Sequence, residues 1–229
     1  APPARPGWSM RSDLYFNFSR PPDPDPETNL LAIPRKQRAE VRKGLDKALI
    51  VETGNGVRDL DWHYRVYAES VRNLGTPVFP GALMAETLKA FGDDDDILTV
   101  LSDGKPVASV LSLYFNGAVM PYWGGGVWEA RALRANDVMY YALMNHARRR
   151  SCTRFDFGRS KVDSGAYFFK KNWGFEPEPL SYSTRTADGS PPRDVNPNSA
   201  KYRSVVSTWQ KLPLPIANLI GPWISRGLG

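Results

Sequence analysis

The chain has 229 residues, enough for one large domain or for one domain plus a fragment of another, and its 41% hydrophobic and 24% charged residues are ordinary values for a globular protein. No apolar run approaches the roughly 20 residues of a membrane-spanning helix, and we predict neither a transmembrane segment nor a signal peptide. Cys152 is the only cysteine, which excludes an internal disulfide and fits a reducing compartment. His63 and His146 are the only histidines and have no ligand-spaced partner, so no metal site is predicted.

The net charge of +6 is unevenly distributed along the chain. Residues 35–47 carry a net charge of +4 and residues 131–171 a net charge of +7, so the rest of the chain carries −5. Such clusters indicate an anionic partner, for example tRNA, a nucleotide-linked sugar or a phospholipid surface. Solvated helix faces would have the same composition, and charge alone leaves both readings open.

Hydrophobic spacing and turn signals predict the secondary structure in chain order. A strand at residues 14–18 precedes a rigid proline-rich break at 21–26, and four aspartates at 93–96 are expected to form a solvated turn. The other predicted elements are helix 34–48, strand 49–52, helices 59–74 and 81–91, strands 97–102, 106–116 and 118–123, helix 134–150, strand 154–158, helix 165–173, strand 175–185, loop 187–199 and a helix from residue 200. An antiparallel meander combined with one strand–helix–strand crossover predicts an α+β fold with a mixed central sheet flanked by helices.

The most informative segment is Phe155–Lys161 with the helix that follows it. A short aromatic strand carries Asp156 at its centre and ends in Gly158, and Arg159 and Lys161 follow at once. Ligands in open α/β sheets bind beyond the carboxyl ends of strands. The segment therefore predicts a site for an anionic or carbonyl-bearing substrate, with a buried strand and a solvated basic turn as the alternative.

Six motifs are spread over residues 34–222, a range that includes most of the chain. They are Pro34-Arg-Lys-Gln-Arg, Tyr122-Trp-Gly, Asn136-Asp-Val-Met-Tyr-Tyr, Phe155-Asp-Phe-Gly-Arg-Ser-Lys, Phe168-Phe-Lys-Lys-Asn-Trp-Gly-Phe and Leu212-Pro-Leu-Pro with Leu219-Ile-Gly-Pro. In this order and spacing they resemble the FemAB-like proteins, GNAT-related peptidyl- and aminoacyl-transferases, and most of all the group found beside exosortase (PEP-CTERM) and exopolysaccharide genes in Gram-negative bacteria. The resemblance implies a GNAT-like (acyl-CoA N-acyltransferase) fold.

The family usually has two GNAT-like domains, and the resemblance implies a division of this chain into three parts. Residues 34–186 would form a complete GNAT-like domain. Residues 1–33 would be a remnant of a preceding GNAT-like domain with a proline-rich linker, and residues 187–229 a C-terminal loop and helical tail. Because the family's precursor site lies along the first domain and the cleft between the two, much of that site would be absent from this chain.

Two residues are catalytic candidates. Lys170 belongs to the phenylalanine-lysine pair that the resemblance implicates in catalysis, where it would stabilise an oxyanion or position an aminoacyl ester; the neighbouring Lys171 is read as surface charge. Asp156 could accept the amine proton or orient an ammonium, and a structural ion pair is the alternative role. The candidate substrate-binding residues flank this segment or end a central strand: Gly158, Arg159, Lys161, Tyr122, Trp123, Arg131, Arg134 and Asp137. Core packing is the alternative for the two aromatics, and helix capping for the aspartate.

The residues before the predicted helix at 134–150 indicate which molecule donates the acyl group. GNAT enzymes that use acetyl-CoA carry an Arg/Gln-x-x-Gly-x-Gly/Ala loop there, whose glycines let the backbone approach the pyrophosphate. Here Arg134 and Asn136 replace the small residues and would crowd a phosphate. No cofactor is therefore predicted and an aminoacyl-tRNA donor is favoured, although Arg131 and Arg134 leave an acyl-CoA donor open.

These observations together predict an enzyme, an acyl- or aminoacyl-transferase that forms an amide bond on a cell-envelope precursor of peptidoglycan or exopolysaccharide. We expect it in the cytoplasm, with peripheral contact to the inner membrane of a Gram-negative bacterium as an added expectation. The first alternative is a CoA-dependent N-acyltransferase acting on an amino sugar of an exopolysaccharide. The second is a non-enzymatic basic module that binds RNA or a membrane surface.

Overall fold

The structure is a computed structural model that describes residues 7–23, 25–190 and 200–226, with side chains in the last range from residue 205 onward. Its strands are β1 (Ser9–Arg20), β2 (Leu49–Gly54), β3 (Asp95–Ser102), β4 (Lys105–Phe115), β5 (Ala118–Gly126), β6 (Arg154–Asp156), β7 (Ser160–Lys161) and β8 (Pro177–Thr184). Its helices are α1 (Pro26–Ala32), α2 (Arg35–Leu45), α3 (Val57–Leu74), α4 (Gly81–Phe91), α5 (Ala130–Leu133), α6 (Ala135–Arg149), α7 (Gly165–Asn172), α8 (Ala200–Gln210) and α9 (Leu214–Ser225), with a 3₁₀ turn at Gly92–Asp94.

The strands form one mixed sheet in the order β2-β3-β4-β5-β6-β1-β7, and β8 also pairs with β1. Every pairing is antiparallel except that of β5 with β6. Successive residues of a strand point to opposite faces. Leu98 and Val110 accordingly pack with α6 on one face, whereas Ile97 and Leu111 pack with α3 and α4 on the other. The predicted α+β architecture with a mixed sheet between helices is confirmed.

Strand β1 lies inside this sheet. Its end pairs with β6 through Ser19 and Asp156, and its middle pairs with β7 through Tyr15 and Lys161. A longer ladder joins it to β8. The strand expected at residues 14–18 is therefore longer than predicted and completes the sheet of the main domain. The derivation of residues 1–33 from a preceding domain stays a prediction, as do the other two divisions of the chain.

The expected break at residues 21–26 is only partly correct, because Pro26 begins α1. The carboxylate of Asp25 accepts a hydrogen bond from the Thr28 backbone N–H at 2.9 Å and caps the helix. Proline is well suited to the first position of a helix, where its missing N–H needs no partner.

The expectation of a solvated turn at residues 93–96 is wrong for its second half. Asp95 and Asp96 begin β3 and are only 2% and 6% exposed. Asp96 accepts hydrogen bonds from the Tyr114 hydroxyl at 2.9 Å and from Arg150 at 3.3 Å, and it pairs with His146 at 2.7 Å. These partners come from β4, from α6 and from the residue that follows α6, so no local sequence pattern could predict them.

The sheet opens between β5 and β6. The two strands pair only at Ala118–Arg154 and Val119–Phe155. Beyond that point β5 stays with β4, whereas β6 turns towards β1. Pro121, the third residue of β5 past Ala118, has no N–H with which to extend a ladder. Past Val119 the backbones of β5 and β6 diverge and leave a space between the end of β5 and the turn after β6.

Candidate functional site

The space between β5 and the turn after β6 is a cleft of about 580 Å³. Strands β1, β5 and β8, the turn after β6 and helices α6 and α7 all contribute to its walls. The lining residues are Asn17, Met120, Pro121, Tyr122, Gly124, Tyr140, Asp156, Phe157, Gly158, Arg159, Ala166, Phe169, Lys170 and Leu180. The cleft thus has apolar walls with a few polar groups, a composition typical of small-ligand sites.

Helix α7 brings Lys170 to the cleft. The hydroxyl of Ser164 accepts a hydrogen bond from the Tyr167 backbone N–H at 3.2 Å and caps the helix start. Lys170 and Lys171 lie in the last turn, where positive charge is favoured by the helix dipole. Helical rotation then separates their side chains: Lys170 is 8% exposed, whereas Lys171 is on the surface.

The ammonium of Lys170 is held against the end of β6. Its Nζ donates hydrogen bonds to the carbonyl oxygens of Gly158 at 2.9 Å and Arg159 at 3.1 Å, and lies 5.5 Å from the ring centre of Phe18. Burial lowers the pKa of Lys170 to about 8, while the Asp156 carboxylate acts in the opposite direction. An ammonium has three donors. Two are used by the backbone, which leaves one for a ligand in the cleft.

Asp156 shapes the turn that presents those carbonyls. Its Oδ1 accepts a hydrogen bond from the Gly158 backbone N–H at 2.9 Å, a local turn that aspartate favours. Gly158 has φ +70°, the left-handed region where glycine is least strained. Within the described chain no ion pair to Asp156 is present. Its structural role is therefore a backbone hydrogen bond rather than the ion pair considered as its alternative.

Arg159 lies at the exposed rim of the cleft among aromatic rings. Its guanidinium carbon is 5.1 Å from the ring centre of Tyr15 and 5.7 Å from that of Tyr182, and its Nη1 donates to the Tyr182 hydroxyl at 2.7 Å. Stacked in this way, the planar guanidinium keeps donors for a carboxylate or phosphate at the entrance.

Tyr122 and Trp123, predicted as a pair, have rings in edge-to-face contact with centres 4.9 Å apart, but their other surroundings differ. Tyr122 is 61% exposed and lines the cleft. Trp123 packs on the other face against the cluster of α3 and α4, with its ring centre 6.4 Å from that of Phe79. The core-packing alternative thus describes Trp123 but not Tyr122.

Four other predicted residues lie away from the cleft lining. Lys161 is on β7, opposite Tyr15 of β1. Arg131 stacks on the ring of Trp128 at 4.5 Å, and Arg134 forms an ion pair with Glu40 at 2.8 Å. Asp137 accepts a hydrogen bond from Gln37 at 2.6 Å, and burial raises its pKa. Asp137 therefore joins α6 to α2 and makes no capping hydrogen bond.

Tyr140 is a candidate that sequence reasoning missed. It lies on α6 in the motif at residues 136–141 and lines the cleft beside Phe157 and Phe169, with ring centres 5.0 and 5.5 Å away. Burial raises its pKa to about 12, so its hydroxyl remains a proton donor at neutral pH. Asn17 of β1 also lines the cleft and was not predicted. The sequence signal for it is that Asn17 interrupts the apolar residues 14–18.

A smaller cavity of about 200 Å³ adjoins the cleft and shares Gly124 and Tyr140 with it. Arg131 and Asn136 also line it, next to the start of α6. The glycines of this region are on β5 rather than in the loop before α6. A Cβ on Gly125 would lie 2.2 Å from Ser70 Oγ, so the close approach of α3 explains the absence of a side chain there.

A family model described as an acetyltransferase (GNAT) domain matches residues 35–171. The chain belongs to this family. No curated protein sequence matches it. The GNAT-like fold and the acyltransferase class predicted from the sequence are thereby confirmed.

Solved structures of this GNAT-family fold include proteins of the predicted FemAB-like type. FemX aligns with a TM-score of 0.69 at 14% identity, over 80% of this chain and 67% of FemX. The C-terminal domain (DUF2156) of a putative lysylphosphatidylglycerol synthetase from Agrobacterium fabrum aligns with a TM-score of 0.58 at 14% identity, over 80% of this chain and 63% of that chain. L-PGS from Bacillus licheniformis aligns with a TM-score of 0.56 at 14% identity, over 88% of this chain and 66% of L-PGS. At such identity the likeness is one of fold, and this GNAT-family chain spans about two thirds of the length of these structures.

Proposed function

We propose that this GNAT-family protein transfers an aminoacyl or acyl group to an amine of a cell-envelope precursor, in the cleft between β5 and the turn after β6. The observation that carries the proposal is Lys170, a buried ammonium with one N–H left for a ligand. The names of the structural neighbours support the class, because FemX and the lysylphosphatidylglycerol synthetases share this fold.

The proposed reaction is an acyl transfer in which the cleft stabilises developing charge. A neutral amine attacks the carbonyl carbon of an activated ester, and the carbonyl oxygen becomes an oxyanion. The free N–H of Lys170 donates to this oxyanion in a setting where burial strengthens the interaction. The intermediate then forms the amide and expels the ester oxygen. That oxygen takes the proton the amine loses, and the Tyr140 hydroxyl can relay it.

An aminoacyl-tRNA donor is favoured by the structure of the loop before α6. The loop folds into the short helix α5, and Arg134 has φ +57° with its side chain on Glu40. This arrangement supports neither a row of glycine amides nor a free Arg134 for a pyrophosphate. The acyl-CoA alternative has one observation in its favour, since Arg131 lines the small cavity that adjoins the cleft. Transfer assays with charged tRNA and with acyl-CoA, each with an amine acceptor, distinguish the two donors.

The central test is the pair Lys170→Met and Lys171→Met. Losing a charged donor to an oxyanion costs about a hundredfold or more in kcat, so we expect Lys170→Met to lose at least that much transfer activity. Lys171 lies one residue away on the surface, and its variant should keep activity within about twofold. Initial transfer rates of both variants measure this. Full activity of Lys170→Met would remove Lys170 from the mechanism.

A further inference from the structure

Helix α9 has an inner face of small residues. Ala217, Gly221 and Ser225 recur every four residues and are buried. A Cβ on Gly221 would lie 3.1 Å from Val78, closer than an ordinary van der Waals contact, so the glycine favours this close packing. The small residues bring α9 against the body of the protein, where it contacts α3. Its orientation is therefore set by packing.

The outer face of α9 is apolar and exposed. Leu219 and Trp223 are 72% and 73% exposed, and Ile216, Ile220 and Ile224 share their stripe at helical spacing. An isolated exposed apolar residue needs no explanation, but a contiguous stripe of five marks an interaction surface. We therefore expect this stripe to be buried against an apolar surface of a binding partner.

The charge around the stripe indicates which surface that is. Residues 200–226 contain four basic residues, Lys201, Arg203, Lys211 and Arg226, and no acidic residue. Arg226 lies 5.4 Å from the ring centre of Trp223, at the end of the stripe. An apolar helix face with tryptophan and flanking basic side chains is typical of helices that lie in the interface of an anionic membrane.

We propose that α9 docks this protein onto an anionic phospholipid surface, with the stripe Ile216–Ile224 inserted and Lys211 and Arg226 at the headgroups. At 12 residues the helix is about 18 Å long, too short to cross the hydrocarbon core. None of the helices in the described part of the chain could span a membrane. Helix α9 therefore lies in the plane of the surface.

A second copy of this chain is the competing occupant, and charge disfavours it. A twofold contact places the same surface of each copy against the other. It would bring two segments of pure positive charge together, with Lys211 and Arg226 on each side. A lipid surface with negative headgroups offsets this charge instead. The docking proposal does not depend on the transfer reaction.

The test is co-sedimentation of the full chain with vesicles of phosphatidylcholine alone and of phosphatidylcholine mixed with phosphatidylglycerol. We expect binding to the mixed vesicles and about tenfold weaker binding by the double variant Leu219→Ser/Trp223→Ser. The matched control is Val57→Ser/Phe115→Ser, which removes two equally exposed apolar side chains from α3 and β4 and should bind as the wild type does. Circular dichroism and thermal unfolding establish that all three proteins are folded.

Three outcomes would overturn the proposal. The wild type could fail to bind the mixed vesicles, or the Leu219→Ser/Trp223→Ser variant could bind them as tightly as the wild type, which would place the lipid contact elsewhere. Light scattering could instead show a dimer that the same variant abolishes, without vesicle binding, which would identify a second copy as the occupant. No transfer activity enters these measurements, so a failure of vesicle binding does not contradict the proposed transfer reaction. In the same way, a failure of the transfer assays does not contradict the docking of α9 on lipid.

Discussion

At the scale of single residues, the cleft depends on backbone groups that hold side chains. Asp156 bonds the Gly158 N–H, the turn this forms exposes the carbonyls of Gly158 and Arg159, and those carbonyls fix Lys170. A lysine held in this way has lost its rotamer freedom before a ligand arrives, which is the condition for electrostatic stabilisation without reorganisation. The same burial lowers the pKa of Lys170, so the pH dependence of transfer tests its role.

Transfer by the wild type should fall as pH rises through about 8, because Lys170 then loses the proton that it donates. The pKa of 8 lies below the ordinary value of 10.5, so the ammonium is fully present only below pH 8. Lys170→Arg keeps a positive charge throughout this range and should retain part of the activity without that alkaline decline. The measurement is kcat against pH for both proteins. An unchanged decline in the arginine variant would assign it to another group.

At the scale of elements, the cleft depends on how closely α3 approaches β5. Gly124, Gly125 and Gly126 end β5, and each leaves room for a neighbour that a methyl group would displace. For Gly125 the neighbour is Ser70 of α3, and for Gly126 it is Asn136 of α6. The run of glycines thus sets the packing of two helices against the strand that forms one wall of the cleft.

Gly125→Ala should destabilise the protein by roughly 1–3 kcal/mol, because a Cβ there would lie 2.2 Å from Ser70 Oγ and 2.5 Å from its Cβ. Gly165→Ala is the matched control: its Cβ would meet nothing within 4 Å, and it begins α7 with an ordinary φ. Urea unfolding of both variants measures the difference. Equal stability of the two would show that α3 moves aside without cost.

At the scale of the whole molecule, tertiary structure redistributes the charge that the sequence concentrates. Of the basic residues at 131–171, Arg134 pairs with Glu40 and Arg150 with Asp96, far along the chain. Only Arg159 and Lys170 of this group line the cleft. Two of the ten basic residues at 131–171 therefore pair with acidic residues far along the chain, and the acidic end of β3 supplies one of these partners.

That acidic end predicts a pH dependence of global stability. Burial, and next the neighbouring Asp96, raise the pKa of Asp95 to about 6 from an ordinary value of 3.8. The folded state then binds more protons than the unfolded state between these values, so this contribution to stability falls as pH rises from 4 to 6. Asp95→Asn should remove that fall and stabilise the protein at pH 7 by roughly 1–3 kcal/mol.

The measurement is the free energy of unfolding in urea at several pH values. Asp94→Asn is the control, because Asp94 adjoins Asp95 but is exposed. If Asp95→Asn and the wild type showed the same pH dependence, the carboxyl of Asp95 would titrate alike in the folded and unfolded states.

The sequence by itself determined most of the elements, their order and the fold class, because hydrophobic periodicity, turn residues and helix caps act within a few positions, whereas the short elements α1, α5 and β7 were not predicted. Two such local signals are the apolar residues at helical spacing in α3, namely Leu60, Tyr64, Tyr67, Val71 and Leu74, and the Asn116-Gly turn between β4 and β5. The family motif that contains Lys170 is a third. The placement of Tyr122 in the cleft and of Trp123 against α3 and α4 was not determined in this way, because the sequence does not show which elements pack against each residue of the strand.

Only the tertiary structure decided which residues and elements contact each other. It placed β1 between β6 and β8, buried Asp95 and Asp96 beneath residues of α6, and assembled the cleft from six elements. Among the residues that the structure describes, it also left the apolar stripe of α9 exposed. The physical reason is that a hydrophobic or charged side chain is stabilised by burial or by an opposite charge whatever residue provides it. Which residue provides it depends on how strands and helices far apart in the chain pack together.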